Sequence, residues 1–307
     1  SLKKGNANNT SYSVKKNDVH NILHNMKRNP MDNRKGMELI SRLLQNWPRD
    51  KPKAFIYFLL QDEESRMVKF WRALSSFDKF FNLKYNYPII IFHERNFRET
   101  IKSKIQSKTN SPIIFQQIEF VIPNFIIRSK LEAKVCGAGI GYRHMCRFHA
   151  KLLAEHQLMQ NFDYYLRLDD DSLILKPISY DIFRHLRDNK YTYGYLLTTM
   201  ESPICAGGLW EGTQRFIQKK NITPQFYPTW PKYKIFYNNF EVSSTSIWRT
   251  DAYASYIDYI DRMGAIFYAR WGDAPIKTLG LSLFVSWRQI IEMPNISYRH
   301  QNMQTRW

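Results

Sequence analysis

Three consecutive carboxylates, Asp169-Asp170-Asp171, follow directly on the apolar-rich run Tyr164-Tyr165-Leu166-Arg167-Leu168 and are succeeded by Ser172-Leu173. Adjacent aspartates repel one another, and each loses hydration near a core, so stability alone does not favour the cluster. A hard divalent cation reverses that balance, because Mg²⁺ and Mn²⁺ take carboxylate oxygens and leave positions open for phosphate oxygens. The same residues also suit a solvated turn between two strands. The tripeptide by itself does not separate the two readings.

The elements around it set where such a turn would lie. Ala54 to Leu60 is a continuous apolar run of strand length, as is Pro88 to Phe92, and Ile118 to Ile122 reads as a third strand. Met67, Phe70, Trp71, Leu74, Phe77, Phe80 and Phe81 recur at helical spacing, and Met145 to Leu158 reads as the helix feeding the strand that ends at Leu168. Strand, helix, strand in this order predicts an open α/β sheet with right-handed crossovers, whose ligands bind beyond the carboxyl ends of the strands. The three aspartates sit at such an end. After Pro177 the pattern turns irregular and aromatic-rich, and the prolines of Pro224 to Pro231 forbid a long element there. A further helix is expected from Asp251 to Met263, with Tyr253, Tyr256, Ile257 and Ile260 on one face. Ahead of all this, residues 1 to about 15 read as a polar tail, and Val19 to Trp47 as two helices broken at Pro30. Pro48 to Pro52 reads as a linker. The division expected is thus a polar stem and helical lead-in over 1–52 and a single α/β domain over 53–307.

A chain of 307 residues with 44% hydrophobic and 15% aromatic content is long enough and apolar enough to fold. The net charge of +18 invites a polyanion or nucleic-acid partner, yet the basic residues are scattered and no nucleic-acid-binding motif accompanies them. No specific nucleic acid is therefore expected. No apolar stretch reaches 18 residues, so no membrane span is expected within the sequence. Cys136, Cys146 and Cys205 allow one bridge and a free thiol, or three buried thiols. Asn8, Asn9, Asn221 and Asn295 each open an Asn-x-Ser/Thr sequon, which permits a secretory location.

Longer segments carry a more specific signal. Tyr142-Arg143-His144-Met145-Cys146-Arg147-Phe148 and Tyr268-Ala269-Arg270-Trp271-Gly272-Asp273-Ala274-Pro275 resemble signatures of the fungal α-1,2-mannosyltransferases, glycosyltransferase family 15. Phe80 to Tyr87, Leu209 to Thr213, Asn239-Phe240-Glu241 and Tyr256 to Gly264 match in the same order, so the resemblance runs from about Ala54 to His300. It implies a GT-A fold with a mixed, mostly parallel central sheet flanked by helices. It also implies a metal-dependent retaining transferase moving mannose from GDP-mannose to the 2-hydroxyl of an α-mannoside, on an oligosaccharide or glycoprotein acceptor. The family is anchored in the Golgi by one N-terminal membrane helix. Because this sequence begins with Ser and has no such helix, a lumenal portion without its anchor is expected, or else a soluble cytoplasmic member.

Residue by residue, the resemblance makes Asp169, Asp171 and His300 the metal ligands. The imidazole favours Mn²⁺, with Mg²⁺ possible. Arg167 and Asp171 match the family's Arg-Val-Glu-Pro-Asp, while Asp169 replaces Glu and Asp170 replaces Pro, leaving open which two aspartates face the metal. Tyr142, Arg147, Arg167 and Asp170 are the expected donor contacts, with Arg147 meeting phosphate bidentately and Tyr142 touching a donor or acceptor sugar. Glu241 is the expected catalytic carboxylate, either as a nucleophile or as the partner of an ion pair. Asp273 and Trp271 are the expected acceptor contacts, although Asp273 also suits the start of a helix near Pro275. His144 and Cys146 read as structural. Gln61-Asp62-Glu63 departs from the family's Ala-Arg-Asn near the nucleotide, so another sugar nucleotide is the first alternative, and a polyanion-binding protein the second.

Overall fold

The computed structural model describes residues 31–305. The expected polar tail, the helix ahead of Pro30 and the sequons at Asn8 and Asn9 lie outside them. The chain enters through α1 (Met31–Gln45), with Gly36 and Ile40 as its buried face. Gly36 is obligatory in size, since a Cβ there would collide with the Gln116 side chain and lie 2.9 Å from the Phe115 carbonyl.

The run AFIYFLL becomes strand β1 (Ala54–Leu60), and the helical spacing after it becomes α2 (Glu64–Phe77), which buries Met67, Phe70, Ala73, Leu74 and Phe77. A π turn over Asp78–Asn82 continues it. Then come β2 (Ile89–His93), α3 (Glu99–Gln106) and β3 (Ile113–Gln117). The third strand thus falls five residues before the stretch 118–122 that the sequence suggests. It pairs Ile89 with Ile113 through His93 with Gln117, and β2 has no residues left to pair with Ile118 and beyond. Ile118 makes one last bond to β2, donating its N–H to the His93 carbonyl at 2.8 Å, and Phe120 and Ile122 pack on the core beyond the sheet.

Helix α4 (Ile140–Arg147) and a π turn (Phe148–Leu152) lead to β4 (Tyr164–Leu168) and, past the aspartates, β5 (Ser172–Ile174). The feeding helix therefore begins five residues earlier than its apolar spacing suggests. The remaining elements are α5 (Ile182–Asp188), β6 (Tyr193–Tyr195), β7 (Thr198–Met200), α6 (Leu209–Lys220), β8 (Lys234–Phe236) and β9 (Phe240–Ser244). Helices α7 (Asp251–Arg262) and α8 (Asp273–Phe284) and strands β10 (Ile290–Glu292), β11 (Tyr298–His300) and β12 (Met303–Gln304) complete it. The face of α7 carrying Tyr253, Tyr256, Ile257 and Ile260 is buried, as its spacing requires.

The central sheet runs β10-β6-β9-β4-β1-β2-β3. Strands β4, β1, β2 and β3 are mutually parallel, and β9 lies antiparallel between β4 and β6. Alternation along β1 sends Phe55 and Tyr57 into one core layer and Ala54, Ile56, Phe58 and Leu60 into the other. The register places Tyr57, Arg167, Glu241 and Tyr195 in one transverse row across four strands. Helix α8, buried along nearly its whole length, lies in the same core layer as Tyr57. A second sheet, β12-β11-β5, pairs His300 with Ser172 and so brings the end of the chain to the aspartate turn.

Gly194, in β6, has no room for a side chain: a Cβ would meet Val242 at 2.6 Å and Met293 sulfur at 2.7 Å. Gly194→Ala should cost about 1–3 kcal/mol through overpacking. The expected readout is a lower urea midpoint at unchanged slope, and an unaltered midpoint would contradict this account of the β6–β9 contact.

Candidate active site

The aspartate turn is fixed by its neighbours before its own charges act. The Asp169 N–H donates to Ser172 Oγ (3.1 Å), the Ser172 N–H donates to the Asp169 carbonyl (3.0 Å), and Ser172 Oγ contacts the Tyr298 hydroxyl at 2.7 Å. The β5–β11 pairing then sets His300 beside it. Nε2 of His300 lies 2.8 Å from Asp171 Oδ1 and 3.6 Å from Asp169 Oδ2, while Nδ1 meets the Tyr237 hydroxyl at 2.9 Å. Burial raises the Asp171 pKa, but His300, hydrogen-bonded and close in charge, more than offsets it and holds the carboxyl below its usual range.

Asp170 points elsewhere. Arg66 approaches to 2.7 Å, but off-line, so neither buried oxygen receives a directed hydrogen bond. Burial, opposed by Arg66, pushes this carboxyl up to about 6. Both side-chain amide atoms of Asn239, whose carbonyl accepts from Asp169 N–H, are likewise buried without partners. Among the described residues no His, Cys, Asp or Glu groups surround a ready-made cation centre, because His300 and Asp171 touch directly. The donor set nonetheless suits Mn²⁺: two carboxylates and an imidazole, beside a buried carboxylate that a cation would relieve. Such binding would replace the His300–Asp171 contact, with Nε2 facing the cation instead of the carboxylate.

Behind the turn lies a buried charged floor. Arg167, 3% exposed, donates to Asp169 Oδ1 through Nε and Nη2 (both 3.1 Å) and to Asp273 through Nη1. Asp273 opens α8 but caps nothing, since its carboxylate also accepts from Asn238 Nδ2 at 2.9 Å. Burial alone would raise its pKa; Arg167 outweighs burial and depresses it far below the normal carboxylate value. One helical turn along α8, Lys277 reaches Glu241, which pairs with Arg167 across β4 and β9. Glu241 is fully buried, and its two oxygens also accept from Tyr165 (2.5 Å) and Tyr193 (3.2 Å). Burial lowers the Lys277 pKa against the pull of Glu241.

The wall on the other side is built by α4 and the segment before α8. Tyr142 is exposed, its hydroxyl accepts from Arg270 Nη2 at 2.9 Å, and the Arg270 guanidinium stands 4.7 Å from its ring centre. Arg270 also reaches Glu201 at 3.4 Å. A disulfide, Cys136–Cys205, joins the loop before α4 to the loop before α6, and Cys146 is a buried free thiol. Of the two cysteine states open to the sequence, the structure selects the single bridge.

Asp169, Asp171, His300, Arg167 and Asp273 are therefore drawn into one chain of contacts, with Tyr142 on the adjoining wall. Four expectations are corrected. Asp170 is no donor contact in this arrangement, because both its oxygens are buried and it faces Arg66 at 2.7 Å. Arg147 cannot fork onto phosphate, because Nε and Nη2 already grip both oxygens of Asp261 at 2.9 and 2.8 Å. Trp271 is 2% exposed and packs inside, donating to the Gly207 carbonyl at 2.8 Å, so it offers no platform. Glu241 is enclosed with every oxygen occupied, not facing an open cleft. The sequence reading misses Lys277, Tyr237, Asn238, Tyr165 and Tyr193. Lys277 is within its reach, four residues after Asp273 on an expected helix. Tyr165 and Tyr193 require the sheet register.

Comparison with known proteins places this geometry. A family model described as glycolipid 2-alpha-mannosyltransferase matches residues 4–306. Alpha-1,2 mannosyltransferase KTR1 of Saccharomyces cerevisiae is 31% identical over 74% of this chain and 64% of its own. The glycolipid 2-alpha-mannosyltransferase of the same yeast is 27% identical over 88% of this chain and 65% of its own. The chain thus spans a little under two thirds of the length of these curated relatives. Among solved structures, core-mannan synthase A (CmsA/Ktr4) from Aspergillus fumigatus, in a Mn/GDP form, superposes with TM-score 0.76 at 24% identity, covering 81% of this chain and 75% of that one. Mannosyltransferase Ktr4p from S. cerevisiae in complex with GDP gives 0.75 at 22%, covering 88% and 82%. The mixed sheet with its flanking helices is the GT-A fold of these enzymes.

Asp273→Asn should strand Arg167 in the interior with half its counter-charge, a loss of about 3–5 kcal/mol. The sign with pH follows from the depressed pKa. The contribution of Asp273 is fully present above its unfolded value of about 4 and is lost as pH falls towards the folded value. Chemical denaturation from pH 7 to pH 3 should show a shallower acid loss in the variant than in the parent; equal slopes would mean that the Arg167–Asp273 pair does not carry the linkage.

Proposed function

The chain belongs to the glycolipid 2-alpha-mannosyltransferase family, and we propose on that footing that it transfers mannose from GDP-mannose to the 2-hydroxyl of an α-mannoside on an oligosaccharide or glycoprotein, with retention at the anomeric carbon. The observation that carries this reading is the convergence of Asp169, Asp171 and His300, from two strand ends, on the buried Arg167–Asp273 pair. Asp169, Asp171 and His300 would hold a manganese ion, as a relative solved with Mn and GDP suggests. When bound, that ion supplies Lewis-acid stabilisation of the departing diphosphate.

The chain's own groups do the rest by position. Arg167 fixes Asp169 in place and holds Asp273 ionised at the floor of the site, where that carboxylate can accept hydrogen bonds from sugar hydroxyls. Tyr142, with Arg270 at its hydroxyl and its ring, forms the wall against which a pyranose face can pack. The nucleobase belongs at the carboxyl ends of β1 and β2, where Leu60 to Glu63 and Glu94, Asn96 and Phe97 line a cavity of about 210 Å³. Asp62 is occupied there by Arg98. Glu63 Oε1 accepts from the Ser65 hydroxyl at 2.8 Å, which leaves Glu94, and a carboxylate matches the paired N1–H and N2–H donors of guanine, which uracil lacks.

Glu241 works from beneath as a positioning residue. Its enclosure leaves no open face for attack on the sugar, which favours return of the acceptor from the side of the leaving diphosphate over a covalent intermediate. No helix among the described residues is long and apolar enough to cross a membrane. The disulfide supports an oxidising lumen, and the Golgi lumen is the compartment the family membership favours.

Two experiments test this. Incubation with GDP-mannose, Mn²⁺ and an α-methyl mannoside should give an α-1,2-linked disaccharide by proton NMR, and Asp171→Asn should lose Mn²⁺-dependent GDP binding while still unfolding cooperatively, at a slightly lower midpoint because the His300 contact is weakened. Transfer from a uridine diphosphate sugar instead, or an unaffected Asp171→Asn, would overturn the assignment. Separately, Glu241→Gln and Lys277→Met should each lower turnover about 100-fold by displacing the floor, and both should lower stability. Loss of turnover in Glu241→Gln alone, at full stability, would return Glu241 to the role of nucleophile.

A further inference from the structure

Two of the sequons fall on described residues, and the fold treats them differently. Asn295 is exposed, but its hydroxyl partner Ser297 is 4% exposed and its carbonyl accepts from the Leu175 N–H at 2.8 Å, locked beside the β5–β11 pairing. Asn221 terminates α6 in the left-handed conformation at φ 49°, a geometry that Asn tolerates well, and it is exposed. Thr223, its sequon partner, is exposed as well. Between them Ile222 donates its N–H to the Ile217 carbonyl, so the helix end is closed off without using either functional side chain.

A second, independent feature bears on whether such a sequon meets the machinery that uses it. Cys136 and Cys205 form a disulfide between two loops 69 residues apart, a cross-link of oxidising compartments. From these observations we infer that Asn221 carries an N-linked glycan. The inference draws on the disulfide and the helix terminus, and not on the sugar chemistry assigned to the cleft. The donor class is a lipid-linked oligosaccharide diphosphate. The bond from the sugar's anomeric carbon to the phosphate oxygen breaks, a bond from that carbon to Asn221 Nδ2 forms, the amide gives up one proton, and the lipid diphosphate leaves.

The site also suits a bulky addition. Helix α6 begins where Gly208 and Gly212 back onto the buried Trp271, and its 12 residues carry Asn221 about 18 Å away along the axis. A glycan there extends past Lys219 and Lys220 into solvent, clear of Tyr142, Asp273 and the aspartate turn.

The test is expression of the full chain through a eukaryotic secretory pathway, followed by peptide mapping with and without removal of N-glycans by an amidase. The Asn221 peptide should be recovered glycosylated, and amidase treatment should leave an aspartate in place of the asparagine. Both Asn221→Gln and Thr223→Ala should lose the glycan mass shift, Asn295→Gln should retain it, and mannosyl transfer by Asn221→Gln should equal the parent's. Recovery of the Asn221 peptide only in unmodified form, whether or not Cys136 and Cys205 are found bridged, would overturn the inference. So would a mass shift that survives Thr223→Ala. A failure of mannosyl transfer in the parent would leave this result unaffected and bear only on the cleft.

Discussion

Four charges buried together organise this molecule: Arg167 and Glu241 side by side on β4 and β9, and Asp273 and Lys277 one turn apart on α8. The signs alternate, so each group has one opposite charge across the helix–sheet gap and another beside it, on the next strand for Arg167 and Glu241 and along the helix for Asp273 and Lys277. Taking any one of them out of water is expensive, and the arrangement is tolerable because Tyr165, Tyr193 and Asn238 fill the remaining hydrogen-bonding positions. Such a set gains little over a well-packed apolar core in stability. It fixes instead the rotation and height of α8 on the sheet, because a slip of one residue turns the helix by about 100° and unpairs the charges, and a slip of about one turn would set like charges together. The Asp169 carboxylate, held by Arg167, inherits its position from that registry.

The cleft is consequently an assembly of distant segments. Asp169 and Asp171 belong to the middle of the chain, Asp273 to a late helix and His300 to a strand close to its end. The antiparallel pairing of β11 with β5 supplies the last of these, which makes a three-residue strand at the periphery as important to the site as the central sheet. Peripheral strands of this length have few hydrogen bonds to lose, so the corner formed by His300 and the aspartate turn is the part of the cleft most open to local loosening.

Much of this is legible in the sequence where the signal is local or repeated. AFIYFLL has no plausible fate but a buried strand, the face of α7 follows from its spacing, and the aspartate turn lies at a strand end as read. The seven-residue match around Tyr142 identifies its family, yet motif membership does not say which way a side chain points. Arg147 and Trp271 share their motifs with Tyr142 and Asp273, but turn to Asp261 and Gly207. Glu241 and its ring of donors are illegible for a related reason: Tyr165, Tyr193 and Lys277 meet it through strand register and helix placement, neither of which leaves a mark in the linear order. The third strand is misplaced in the sequence because its length is set by its neighbour, not by its own composition.

Helix α1 has a meaning beyond the few contacts it makes. Asn33 in its first turn exchanges two hydrogen bonds with the main chain of Gln117, donating to its carbonyl at 2.9 Å and accepting from its N–H at 2.6 Å, as a neighbouring strand would. Strand β3 is the last in the central sheet, and an outermost strand is a template for any extended chain that drifts past. The lead-in segment therefore acts as a guard against promiscuous strand addition. Trimming the molecule to the linker at Pro48–Pro52 would leave the cleft residues in place and bare the outer edge of β3 to pairing with another chain.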